Sequence, residues 1–182
     1  NENGYGSYQN FGNIEIEFSF SEKAENYCRY LDMEVAEAGV DFVENKNKIS
    51  RRYFVSYPDN CFAARLQNSE EGSLSFVLSY NPAQKAEICS DGEFLVMSGV
   101  LPDNSLQFAS VLTVVADGGE AECKNGKIEV HNADSAVIIM SAATDYENKY
   151  PTYRNGKKPV DEAKNAVKKA AENGFDALYK SH

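Results

Sequence analysis

Two pairs of closely spaced carboxylates are the first candidates for chemistry in this chain: Glu15 with Glu17, and Asp145 with Glu147 on either side of Tyr146. Two carboxylic acids roughly 5–9.5 Å apart can protonate a departing oxygen while the second activates water or attacks the carbon it leaves, which is the chemistry of glycosidic-bond cleavage. As alternate residues of a strand, Glu15 and Glu17 would stand about 6.5–7 Å apart on one face. That spacing fits. Yet Ile14-Glu15-Ile16-Glu17-Phe18-Ser19-Phe20 reads more simply as an amphipathic strand whose glutamates form its wet face. Asp145 and Glu147 read likewise as solvated loop residues, so neither pair is assigned a catalytic role.

Other chemistries fare no better. His131 and His182 are the two histidines and no Gly-x-Ser-x-Gly turn occurs, so no hydroxyl has a base to activate it. Cys28, Cys61, Cys89 and Cys123 are scattered without a Cys-x-x-Cys pair, and no Cys or His pair has zinc-ligand spacing. Buried free thiols are expected, with no metal and no cofactor. Gly118-Gly119 lacks the setting of a phosphate loop and reads as a turn. Tyrosine remains, with 11 copies against no tryptophan. Tyr5, Tyr8, Tyr146, Tyr150 and Tyr153, with Gln9, gather in two loops, where they could carry the apolar face of a sugar ring or pack against a neighbouring domain. Both readings of this candidate contact site stay open.

The elements that must position these loops are strands. After the opening alternation, apolar runs recur with turn signals between them, as an all-β sandwich requires. Strands are predicted near residues 26–32, 34–43, 49–56, 61–67, 73–80, 94–100, 106–116, 121–124, 127–130 and 136–143. Asn125-Gly126 is the clearest hairpin turn, since both central residues of a type I′ turn take positive φ; Asn45-Lys46-Asn47-Lys48 is a second connection. From Thr144 to Lys158 the pattern lapses into a loop. Pro159 then opens a helix to about Asn173, with Asp161 and Glu162 in its first turn and Gly174 as its stop. Its apolar side, Val160, Ala163, Val167, Ala170 and Ala171, is mostly small and suits close packing. Phe175 to His182 begins a second helical pattern.

Bulk composition narrows the partners. A chain of 182 residues makes one domain, and its formal charge of −10 disfavours nucleic acid and anionic membranes. A neutral carbohydrate meets no such objection. No apolar run reaches the roughly 20 residues of a spanning helix, and no leader opens the chain.

Several stretches resemble a known family. Tyr8-Gln9-Asn10-Phe11-Gly12-Asn13 is similar to the Tyr-Gln-Pro-Phe-Gly-Asp segment in the N-terminal β-sandwich of glycoside hydrolase family 95, the bacterial α-L-fucosidases, with Asn10 and Asn13 departing from Pro and Asp. Tyr27-Cys28-Arg29-Tyr30-Leu31-Asp32-Met33-Glu34-Val35-Ala36 resembles its Tyr-x-Arg-x-Leu-Asp-Leu-x-x-Ala segment. Arg51-Arg52-Tyr53-Phe54-Val55-Ser56-Tyr57-Pro58-Asp59 resembles its Tyr-x-Arg-Glu-x-Phe-x-Ser-Tyr-Pro-Asp, and Arg65, Gly72-Ser73-Leu74-Ser75-Phe76, Gly118-Gly119 and Ala142-Ala143-Thr144-Asp145-Tyr146 follow in order.

The resemblance implies a mostly β fold, an antiparallel, supersandwich-like β-sandwich followed by a C-terminal linker helix. Residues 1–146 would be the sandwich, lacking its first strands, and residues 147–182 the loop and linker helix leading to an absent (α/α)6 barrel. The general acid and the asparagine-assisted base belong to that barrel, so this part of a bacterial α-L-fucosidase acting on α-linked fucose in glycans would be a non-catalytic scaffold. Its partners would be the barrel and, through the parent, a fucosylated glycan. Export of the parent stays open. The alternatives are a free-standing carbohydrate-binding module, or the equivalent domain of a related glycosidase or phosphorylase. Cut sheet edges would also let the fragment self-associate.

Overall fold

The computed structural model describes residues 9–19 and 23–182. Among them run twelve strands: β1 (Gly12–Glu17), β2 (Glu25–Asp32), β3 (Glu37–Glu44), β4 (Asn47–Ser56), β5 (Cys61–Asn68), β6 (Leu74–Pro82), β7 (Ala86–Asp91), β8 (Phe94–Val100), β9 (Gln107–Asp117), β10 (Glu120–Lys124), β11 (Lys127–Ala133) and β12 (Ser135–Thr144). Two helices follow, α1 (Pro159–Asn173) and α2 (Phe175–Ser181). The strands form an antiparallel sandwich of a four-stranded sheet, ordered β1-β6-β11-β10, on an eight-stranded sheet, ordered β2-β3-β4-β5-β12-β9-β8-β7. The expected sandwich and C-terminal helix are therefore present.

Alternation decides which residues meet. Leu66, Leu95, Met97, Leu112 and Ile138 project from the large sheet onto Leu74, Phe76, Leu78, Ile128 and Val130 of the small one. The intervening residues Phe54, Ala63, Val96, Val111 and Ile139 point the other way and are covered by Ala163, Val167, Ala170, Phe175 and Leu178 of the helices. The centre of the large sheet is thus apolar on both faces, and Phe108 to Val114 of β9 are buried without a break.

The helices are a third layer. Pro159, Ala163, Val167 and Ala170 recur at helical spacing and are all buried, and the small alanines let α1 lie close to β9 and β12. Arg65 holds α2 by pairing with Asp176 at 2.7 Å while its guanidinium sits 4.0 Å above the Phe175 ring. Phe54 packs under α2 against Phe175, Tyr179 and His182.

The end of α2 is also tied down by Asp59, whose carboxylate accepts from Ser56 Oγ at 2.6 Å and Ser181 Oγ at 2.5 Å. These two hydroxyls, Ser181 foremost, hold the Asp59 carboxyl below its ordinary range. A carboxyl whose folded pKa is depressed contributes stability that is complete above its unfolded value of about 4 and is lost as pH falls through the lower folded value. Stability should therefore fall over that acid window, and Ser181→Ala should flatten the fall when unfolding midpoints are followed from about pH 5 to pH 2.

Several sequence expectations need correction. The third strand starts at Glu37, not Glu34, because Asp32 Oδ1 accepts the Glu34 and Val35 amides and Ala36 takes φ 48°, closing a turn without glycine or proline. The turn after β3 is Asn45-Lys46 alone, with φ 47° and 66°, and Asn47 already pairs with Glu44. Strand β7 has no counterpart in the sequence reading; it is a short, half-exposed edge strand. Of the four cysteines, all free, Cys61 is buried, Cys123 is half-buried, and Cys28 and Cys89 are exposed. Burial pushes the Cys61 thiol up to about 11, so it is unreactive. The Asn125-Gly126 turn forms as expected, with φ 52° and 73°.

Candidate functional site

The proposed contact residues meet at one end of the sandwich. A groove of about 650 Å³ opens there between the approach to β1 (Gln9 to Phe11), the β6–β7 turn at Gln84, the β8–β9 loop, and the loop that leaves β12. Gln9, Tyr146 and Tyr153 all line it. Tyr150 stands just outside, 82% exposed, with its ring 6.3 Å from that of Tyr153 in an edge-to-face contact. Tyr5 and Tyr8 lie outside the described residues.

The floor of the groove is apolar, and its backbone allows for this. Phe11 meets Phe108 edge-on with ring centroids 5.6 Å apart. Gly99 lies beneath: a Cβ there would stand 2.5 Å from Phe108 Cζ and 2.7 Å from the Lys85 carbonyl. No other residue leaves room for that ring. Leu101 and Leu106 close the side wall.

The loop carrying the tyrosines is held by Asp145 and Arg154. Asp145 is 5% exposed, not the solvated residue its sequence suggests. Its Oδ1 accepts the Gln107 amide at 3.1 Å and lies 3.3 Å from Arg154 Nε, while its backbone pairs with Gln107 and Asn155. The remaining Arg154 nitrogens donate to the Tyr153 carbonyl at 3.0 Å and the Asn104 carbonyl at 2.6 Å. One guanidinium thus ties the β8–β9 loop to the exit loop, and Tyr146 bridges Arg154 through the backbone. Sequence reasoning missed Arg154, although a lone arginine in a loop that also holds an acid at its mouth was a usable signal. It missed Asp103, Asn104 and Phe108 because their approach to Tyr146 is long-range.

No acid–base pair emerges from this arrangement. Asp103 is the one carboxylate other than the ion-paired Asp145 at the groove among the described residues. Glu15 and Glu17 lie on the exposed face of β1, as its alternation requires, and Glu15 accepts from Asn81 Nδ2 at 2.6 Å. Elsewhere Glu37 and Asp41 share Arg52, and Tyr30 donates to Glu37 at 2.7 Å. Burial and that carboxylate push the Tyr30 hydroxyl up to about 12, which makes it a brace and not a base. No group of three or more metal-ligating side chains comes together among the described residues.

Comparison with known proteins agrees with the sandwich. Residues 1–149 match the family profile described as glycosyl hydrolase family 65, N-terminal domain. Alpha-L-fucosidase 2 of Arabidopsis thaliana is 29% identical over 204 residues, covering 96% of this chain and 24% of its own. Probable alpha-fucosidase A of Aspergillus niger is 27% identical over 191 residues, covering 98% and 24%. This chain therefore spans about a quarter of the length of those relatives. Among solved structures, one described as a kojibiose phosphorylase from the human microbiome superposes with a TM-score of 0.65 at 13% identity, over 94% of this chain and 27% of the other.

Proposed function

Because this chain belongs to the N-terminal domain family of glycosyl hydrolase family 65, we propose that it is the non-catalytic sandwich of a glycoside hydrolase acting on α-linked fucose, and that it supports a separate helical catalytic barrel. The observation that carries the specificity is the match of 96–98% of the chain to alpha-fucosidases. The observation that carries the division of labour is the groove, which among the described residues offers one carboxylate, Asp103, and no second one opposed to it. Residues 147–182 pass from the groove loop to the helices packed on the large sheet, and on this reading they form the base on which the barrel rests.

The test compares two proteins. The parent should release fucose from an α-linked fucoside in buffer free of phosphate, and the 182-residue chain should release none. Turnover by the chain alone would overturn the division of labour. Release by the parent that requires phosphate would replace hydrolysis by phosphorolysis.

The isolated chain should also self-associate. Strand β1 pairs on one side only among the described residues. Beyond it the overhanging β2-β3-β4 face shows Leu31 at 67% and Val55 at 69% exposure. An open edge beside an apolar face accepts another strand, here that of a second copy. Since each copy carries −10, mutual repulsion opposes the contact and salt screens it. Sedimentation should show association that grows with concentration and with ionic strength; a strict monomer at every salt would refute it.

A further inference from the structure

We propose that the groove at the end of the sandwich is itself a binding site for a neutral pyranose ring, laid against Tyr146 and Tyr153 with its hydroxyls on Asp103. The inference builds on the carbohydrate reading above but assigns binding to this chain, with no contribution from a barrel.

Three observations select the ligand class. The first is charge. Every nitrogen of Arg154, the cation at the groove among the described residues, is committed to Asp145, Tyr153 or Asn104, and among those residues Asp103 is the one acid left at the lining. A phosphate, sulfate or uronate would meet a carboxylate and no cation, on a chain of net charge −10. The second is the mix of surfaces. Tyr146 is 51% exposed and Tyr153 41%, and both line the same groove as Phe11 and Phe108, together with the polar Asp103 and Asn104. A wholly apolar ligand would strip water from Asp103 and give nothing in return. An uncharged polyhydroxylated ring satisfies both, its C–H face on the tyrosines and adjacent hydroxyls on the carboxylate. The third is size: about 650 Å³ falls within the roughly 300–1,000 Å³ of small-molecule sites, enough for one ring with a substituent.

Nuclear magnetic resonance titration of the full 182-residue chain tests the site, with L-fucose, D-galactose and D-glucuronate as probes. The expected result is saturable millimolar shifts at groove residues with at least one neutral sugar and none with glucuronate. Tyr146→Ala should weaken that binding at least tenfold, Asp103→Asn should weaken it severalfold, and Tyr57→Ala, at a tyrosine 95% exposed in the β4–β5 turn, should leave it unchanged. Unchanged far-ultraviolet dichroism establishes that each variant is folded, and Asp103→Asn, at an exposed loop position, serves should Tyr146→Ala misfold. The proposal is overturned by absence of saturation with both neutral sugars, by equal binding of glucuronate, or by affinity that folded Tyr146→Ala and Asp103→Asn both retain. Such a failure leaves the parent's fucosidase activity untouched, and loss of that activity leaves this titration untouched, so the two readings fail separately.

Discussion

A chain ending at Lys158 is expected not to fold cooperatively. The helices it would lose cover Phe54, Val96, Val111 and Ile139 on the large sheet, and they bury Val167, Phe175 and Leu178 in return. Those last three side chains alone account for about 5–9 kcal/mol of burial, at ~1.5–3 kcal/mol each. A domain of this size holds only about 5–15 kcal/mol of net stability. The truncated chain should melt without a sharp transition and bind a hydrophobic dye, whereas Leu178→Ala in the complete chain should melt cooperatively with a loss of about 2–5 kcal/mol. A truncated chain that kept the midpoint of the 182-residue chain would show that the helices are an appendage to a self-sufficient sandwich.

The second large effect lies at the groove. Asp145→Ala removes the acceptor of both Arg154 and the Gln107 amide and leaves a guanidinium that is 27% exposed without its carboxylate. Breaking a fully buried pair costs about 3–5 kcal/mol; the partial solvation of Arg154 reduces this to about 2–3 kcal/mol. Arg154→Ala should cost at least as much, because the carboxylate it leaves is 5% exposed and keeps the Gln107 amide but not its cation. The double variant should be less destabilised than the sum of the singles, which denaturant unfolding of all four proteins measures as a coupling energy. Additive losses would mean that the two residues act separately. Both variants should also broaden the resonances of residues 146–153, since Arg154→Ala removes the tie to Asn104 and Asp145→Ala removes the carboxylate that orients the guanidinium making it.

The alternation of Ile14, Ile16 and Phe18 with glutamates, and the runs that became β8 and β9, made the strands legible, because a two-residue period is a local property of the chain. Turns were legible where residue type enforces the geometry, as at Asn125-Gly126, and obscure where a side chain supplies it, as Asp32 does before Glu37. The third layer was half legible: the alanine stripe of α1 announced close packing, but its partner, the far face of β9 and β12, could not be named. At the groove the tyrosines and Gln9 announced themselves by type. Phe108 and Asp103 did not, for an aromatic in a strand and an acid beside a proline are ordinary until the β8–β9 loop folds against Arg154. Asp145 was misread for the same reason, since an acid at a strand exit looks solvated when its cation lies nine residues away across a loop.

The ladder between β9 and β12 pairs ten residues on each strand, from Ser135 with Asp117 to Thr144 with Phe108, beneath cover on both faces. Opening such a ladder means opening the whole fold, so its amides should be the slowest in the molecule to exchange with solvent deuterium, while those of edge strands β2 and β7 exchange through local fraying. Asp145 follows the last residue of this ladder, and Phe108 pairs within it. The groove therefore has a floor that persists for as long as the domain stays folded and lips that belong to loops, so that loop sequence can drift and reshape the groove while its position in the domain stays fixed.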